Sequence, residues 1–324
     1  MTGSSDDPAA PAGVGHGVRR GRARRAGLAV ALAGSVALVL GGLASGRQPR
    51  QPLAEAGPGG AGTAKGVIDL QADFTAGEQS PFNAFECGDV AQQFRLDPSI
   101  TRGGQPSARF EERPGDVWTE NGTIRCLAAD YNSGEQNGDD FYYGFSLYEP
   151  RGAVNAGNLI WELHQAESLY RYQACSVAPY AVQFERTRGG SEGLYFRVDG
   201  GNCNPSRGWT LLHPGIPLQG LVPIPRDTWI DLMVHIRFSE APTGVVEVWD
   251  RIAGQPWQPQ PSIALRNIST VPHCDVCGVH DSPLYTELGL YNGSSSTAVD
   301  SIVYLDGYRR GTTLAVVRRG FPGP

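Results

Sequence analysis

From residue 66 onward, apolar and polar positions alternate in short runs broken by Gly, Pro, Asn, Asp and Ser turns. No long stretch holds a helical period. The alternation predicts strands at residues 66–70, 108–112, 123–129, 141–149, 159–164, 181–185, 194–198, 229–238, 245–252, 284–291 and 301–308. Many short strands at this spacing predict an all-β fold, a jelly roll or sandwich of two antiparallel sheets. No internal repeat is visible.

Because strand side chains alternate with period two, the pattern also assigns faces. In the 159–164 run, Leu159, Trp161 and Leu163 point one way, and Ile160, Glu162 and His164 the other. In the 229–238 run, Ile230, Leu232, Val234, Ile236 and Phe238 form the core face, opposite Asp231, His235 and Arg237. In the 284–291 run, Leu288 and Leu290 mark the core, while Tyr285, Glu287, Gly289 and Tyr291 share the other face. A sheet face rich in Tyr, Glu, His and Arg suits a polysaccharide, acidic or neutral. Sugars offer apolar C–H faces to aromatics and hydroxyls to polar groups. Candidate substrate contacts are Glu162, Glu287, Tyr285, His235 and Arg237, with His235 also readable as a structural polar-face residue.

The first 65 residues follow another pattern. Arg19, Arg20, Arg22, Arg24 and Arg25 precede an apolar run over 26–44 that ends in Gly42, Leu43 and Ala44. This is the layout of a secretory signal. The run also approaches the length of a bilayer span, so membrane anchoring through 26–44 is the alternative. Residues 45–65 read as a Gly/Ala/Pro/Gln linker, 66–317 as one β domain and 318–324 as a tail. The expected location is secreted or extracytoplasmic.

Charge and cysteines refine the picture. The chain is −6 overall, but residues 51–324 hold 20 basic and 31 acidic residues, a net of −11. That argues against a nucleic-acid partner and, more mildly, against very highly charged polyanions such as heparin unless basic groups are concentrated locally. All six cysteines, Cys87, Cys126, Cys175, Cys203, Cys274 and Cys277, lie in the exported part, where an even count favours disulfides. Local proximity suggests Cys175–Cys203 and Cys274–Cys277, leaving Cys87–Cys126. The cluster His273, Cys274, Cys277 and His280 has zinc-like spacing, but an oxidising compartment favours a Cys274–Cys277 disulfide over a metal site. No phosphate loop, dinucleotide fingerprint or Gly-x-Ser-x-Gly elbow occurs.

Several segments appear in an order that resembles the heparinase-I-like polysaccharide lyases and the related glucuronan and alginate lyases. They include Ile124-Arg-Cys-Leu127, Asp140-Phe-Tyr-Tyr-Gly-Phe-Ser146, Leu159-Ile-Trp-Glu-Leu-His164, Tyr285-Thr-Glu-Leu-Gly-Leu-Tyr291 and Val303-Tyr-Leu-Asp-Gly-Tyr308. The resemblance covers roughly residues 66–315. It implies a jelly roll, concanavalin-like in architecture, and β-elimination at a uronate. A base removes the proton on C5, an acid protonates the leaving O4, and the carboxylate is neutralised. It implies His164 as base, Tyr291 as acid, or as base and acid in turn, and Arg125 as the arginine that helps hold the carboxylate. Calcium is a further expectation of such lyases. Three positions depart from the family pattern: Glu162 replaces a Gln, Glu287 replaces a Lys, and Leu127 replaces a Glu. Two carboxylates near a third are costly, about 4 kcal/mol per ionised pair at 4 Å and an effective dielectric near 20. The departures leave open a non-catalytic carbohydrate-binding jelly roll. A glycoside hydrolase using Glu162 and Glu287 is also open, if their carboxyls stand about 5 Å, or roughly 6.5–9.5 Å, apart.

Overall fold

The computed structural model describes residues 66–74, 81–165, 169, 172–176, 178–293 and 297–323. The expected signal or anchor at 26–44 and the linker at 45–65 lie outside these residues. Two antiparallel sheets face each other. In one, β13 (Ile263–Ile268), β12 (Gly244–Ile252), β11 (Trp229–Arg237), β6 (Asp140–Tyr148), β15 (Ser301–Gly311), β4 (Gln105–Glu112) and β3 (Phe94–Arg102) lie side by side. There β1 (Ile68–Ala72) pairs with the far half of β15. We call this the outer sheet. The other, the groove sheet, runs β10 (Gly208–Pro217), β9 (Glu192–Asn204), β8 (Tyr180–Arg186), β7 (Leu159–Gln165), β14 (Leu284–Tyr291), β5 (Arg125–Glu135) and β2 (Ala84–Cys87). This is the expected jelly-roll sandwich.

The core fills the space between the sheets. Trp161 of β7 is fully buried and packs on Tyr143 and Phe145 of β6, with ring centroids 5.4 and 6.1 Å away. Phe196 of β9 lies 6.5 Å from it on the other side. Ile230, Leu232, Val234, Ile236 and Phe238 all enter this core, as their alternation predicts. A smaller apolar cluster covers the outside of the outer sheet, where Val317 and Phe321 meet Met233, Trp249 and Trp257. Gly144 permits that docking, since a Cβ there would lie 2.7 Å from Val317. The cysteines pair as Cys87–Cys126, Cys175–Cys203 and Cys274–Cys277. Disulfides fit an oxidising compartment. Among the described residues, no helix is long and apolar enough to cross a membrane.

One face assignment is corrected. Strict alternation puts Leu159 in the core and Ile160 beside His164. The ladder shifts register between Leu159 and Trp161 toward β8, and between Leu288 and Tyr291 on β14. The irregularity resets the parity of the strand. Ile160 and Trp161 therefore both belong to the core, and Leu159 lines the groove. Gly289 sits at the shift with φ 150°, and a Cβ there would approach the Cys126 carbonyl to 2.2 Å. Only glycine fits that approach.

Candidate functional site

Register arranges the outward residues of the groove sheet in rows. One row runs Arg197 (β9), Ala181 (β8), Glu162 (β7), Glu287 (β14) and Ala129 (β5). A second runs Tyr195, Gln183, Leu159, Tyr291 and Arg125. His164 faces Tyr285 in a third. Ala181 leaves the floor open between Arg197 and Glu162, whose strands are two spacings, about 10 Å, apart. There a hollow of about 240 Å³ opens, lined by Leu159, Glu162, His164, Gln183, Arg197 and Tyr291 among others. A larger hollow of about 440 Å³ lies on the outer sheet at Arg102, Asp306 and Arg309. Its Arg102 is already bound to Asp231, at 2.8 Å. The groove hollow is the one that gathers a histidine, a tyrosine, a carboxyl and a guanidinium.

His164 is nearly buried, and its Nδ1 lies 3.0 Å from the Gln165 carbonyl oxygen. A carbonyl only accepts, so Nδ1 carries the hydrogen and the neutral ring keeps its lone pair on Nε2. The Tyr285 ring lies 5.3 Å from the imidazole and packs edge-on against Tyr131 at 5.1 Å. Burial first, then the Glu287 carboxyl, drives the Tyr285 phenol up, so it stays protonated. Tyr291 lies six positions along β14 from Tyr285 (285 to 291), opposite Leu159 and Arg125. It reaches the same hollow from the other end.

Arg125 is 6% exposed and is not open to the hollow. It pairs with Glu86 of β2, donates from Nε to Thr123 Oγ1 at 3.0 Å, and lies between the Trp118 and Tyr291 rings at 4.9 and 4.1 Å. Glu86 also accepts from the Tyr131 hydroxyl. Leu127, between Glu86 and Gly289 in register, is buried, so an apolar side chain fills the place of the family's carboxylate.

Glu162 and Glu287 are direct cross-strand partners, each 1% exposed. Among the described residues, none of their four carboxyl oxygens has an N–H or O–H donor. Burial, then the Glu162 carboxyl, holds the Glu287 carboxyl protonated well above the usual range. The hydrolase alternative would need these two carboxyls to act on the scissile bond as acid and as nucleophile or base; they lie side by side on neighbouring strands of the groove sheet.

Other candidates lie elsewhere. His235 is on the outer sheet, stacked on Tyr142 at 4.1 Å and held between Glu247 and Asp140 at 2.8 and 2.7 Å. Arg237, on the same strand, donates to the Thr243 carbonyl. His273 and His280 flank the Cys274–Cys277 disulfide with their rings 6.2 Å apart. Those two thiols are thus used up as ligands. Among the described residues, no three His, Cys, Asp or Glu side chains are grouped to hold a metal ion.

Arg197 and Gln183 were not singled out by sequence. Leu194, Phe196 and Val198 are core residues, so their alternation already places Arg197 on the groove face. Arg197 pairs with Asp199 on its own strand, and its side chain keeps 26% of its surface exposed.

Comparison with curated protein sequences gives no match. Among solved structures, the endo-β-1,4-glucuronan lyase of Trichoderma reesei is similar, with TM-score 0.57 and 15% identity over 78% of this chain and 98% of that one. An alginate lyase of Aplysia kurodai gives TM-score 0.44 at 9% identity, covering 71% of this chain and 90% of that one. A β-glucanase catalytic domain of Podospora anserina gives 0.42 at 14%, covering 71% and 84%. At 15% identity the likeness to the glucuronan lyase concerns the fold alone. The sequence itself matches the polysaccharide lyase family over residues 62–309, most of the chain and all of the groove sheet, and to that family the protein belongs.

Proposed function

We propose that the protein is an extracytoplasmic lyase that cleaves a uronate-containing glycan by β-elimination in the hollow between β9 and β14. The carrying observation is the convergence there of His164, oriented by the Gln165 carbonyl, with Tyr291 and Arg197. His164 Nε2 takes the proton from C5. The electron pair forms the C4–C5 double bond as the C4–O4 bond breaks, and the Tyr291 hydroxyl protonates O4. Arg125, stacked on Tyr291, puts a fixed positive charge where phenolate charge develops. Arg197, whose side chain keeps 26% of its surface exposed and lines the hollow, receives the substrate carboxylate. The similar fold of the Trichoderma reesei glucuronan lyase supports a uronate substrate, and the −11 charge of residues 51–324 favours a weakly charged glycan over heparin. The three disulfides support export.

Incubation with glucuronans, alginates and glycosaminoglycans tests the reading. Turnover yields an unsaturated product absorbing in the far ultraviolet, and H164A abolishes it. New reducing ends without a double bond, or retained binding with no turnover on any uronate glycan, overturn it.

A further inference from the structure

The family places an amide and an ammonium where this chain has Glu162 and Glu287. Both family groups offer hydrogens to an anion, whereas two carboxylates would repel it. The surroundings resolve the conflict. Glu162 and Glu287, each 1% exposed, lie side by side on β7 and β14, with Ala181 and Ala129 flanking them and Glu86 of β2 in the adjacent row, opposite Leu127. The cations nearby are engaged, Arg125 by Glu86 and Arg197 by Asp199. His164 and Tyr285 occupy the next row, and Tyr131 bonds Glu86. No donor reaches the four oxygens among the described residues, so the hydrogen must be the pair's own.

We infer that Glu162 and Glu287 work as an acid pair, sharing a proton in the free protein and presenting Glu162, as a neutral carboxylic acid, to the substrate's uronate carboxylate. Glu162 is the partner that lines the hollow, and Glu287, its cross-strand neighbour on β14, is the half that holds it there. A docking carboxylate brings a second negative charge beside the singly charged pair, so binding draws in a further proton. Burial, which already favours protonated Glu287, acts in the same direction. The inference rests on the uronate reading above, but its test does not require turnover.

Two measurements decide it. In the ligand-free protein at neutral pH, infrared spectroscopy shows the C=O stretch of a protonated carboxylic acid, and E162Q or E287Q shifts or removes it. Calorimetry of uronate oligosaccharide binding to inactive H164A, in two buffers of different ionisation enthalpy, shows proton uptake that disappears in H164A/E162Q. An acid band unaffected by either substitution overturns the inference. Equal uptake in both proteins, or none in either, overturns it as well, even if wild-type elimination proceeds. Ultraviolet-silent wild type with the acid band and uptake present refutes the elimination reading and leaves the acid pair standing. The acid pair predicts that wild-type kcat/KM falls in alkali as the shared proton is lost, and that E162Q, which keeps a hydrogen donor that cannot ionise, loses this fall. E162A loses affinity at all pH values.

Discussion

The Arg125 guanidinium lies on the face of the Tyr291 ring, 4.1 Å from its centroid, while its other side is held by Glu86 and the Trp118 ring. One tyrosine is thereby fixed at the end of the hollow by a buried cation that does not itself reach the solvent. In the proposed elimination the pair acts as a unit, with Tyr291 reaching substrate and Arg125 positioning it.

Y291F keeps the ring and its stacking but removes the hydroxyl. We expect kcat to fall about 10²–10⁴-fold, the usual worth of a positioned acid or base, with the melting temperature unchanged. R125K keeps charge but loses the flat stacking surface and the fork that grips Glu86. It should lower kcat more than it raises KM. R125A strands buried Glu86, which costs about 3–5 kcal/mol, so a loss of fold in R125A and not in R125K separates packing from catalysis. Steady-state kinetics beside thermal melts read both.

Arg197 offers the opposite case, a cation with exposed surface in the hollow. Charge-assisted hydrogen bonds contribute about 1.5–3 kcal/mol, so R197A should weaken glycan binding roughly 10- to 100-fold. The Asp199 it leaves behind is 1% exposed, and burial already holds that carboxyl above its usual range. R197A/D199N therefore recovers stability but not affinity. Binding to the inactive H164A background by calorimetry checks it. Unchanged affinity in R197A would mean that the carboxylate is held elsewhere.

Much of this was legible in the chain, and what was not has a physical pattern. The strands that alternation did not reveal, β2, β3, β10 and β13, are the ends of the two sheets. An edge strand pairs on one side only, needs less apolar content, and tolerates proline; Pro98 lies in β3 and Pro214 in β10. Missing β2 meant missing Glu86, and with it the reason Arg125 is committed to an ion pair. Period two put Glu162, His164, Glu287 and Tyr291 on one face correctly. It failed at Leu159 and Ile160, because a bulge leaves no mark in a run of apolar residues. Arg197 had the right alternation but no motif around it. His235 and Arg237 had the right face of the wrong sheet, a distinction that strand order makes and local sequence does not.

Stability should favour mildly acid conditions. Burial lifts the Glu112 carboxyl to about 8 and those of Glu149 and Asp306 to about 7, for Glu149 against the opposing pull of Arg226. A carboxyl raised in the folded state binds its proton more tightly there than in the unfolded chain, where it titrates near 4. Its contribution is therefore complete below about 4 and is lost as pH rises toward about 8. Glu111 has the reverse sign: burial opposes, but Arg109 and Arg113 together hold it down at about 2, so its contribution fades only as pH falls from about 4.5 toward 2. Melting temperature should thus peak below neutrality and decline toward pH 8. E112Q should flatten the alkaline part of that decline, and a profile unchanged by E112Q would remove Glu112 as its source.

The three disulfides should differ in worth according to the loops they close. Cys87–Cys126 and Cys175–Cys203 span 39 and 28 positions, Cys274–Cys277 only three. The chain-entropy model gives about 4 kcal/mol for each of the first two and about 2 for the last. Double serine variants should fall in that order in denaturant midpoint. Cys87–Cys126 joins β2 to β5 beneath Glu86 and Arg125, so its removal should also loosen Tyr291 and lower kcat. C274S/C277S touches only a turn beside β9 and should leave kcat intact. Treatment with a chelator distinguishes the two readings of that turn: the disulfide predicts no change in melting temperature, whereas a zinc site would give a marked drop reversed by added zinc.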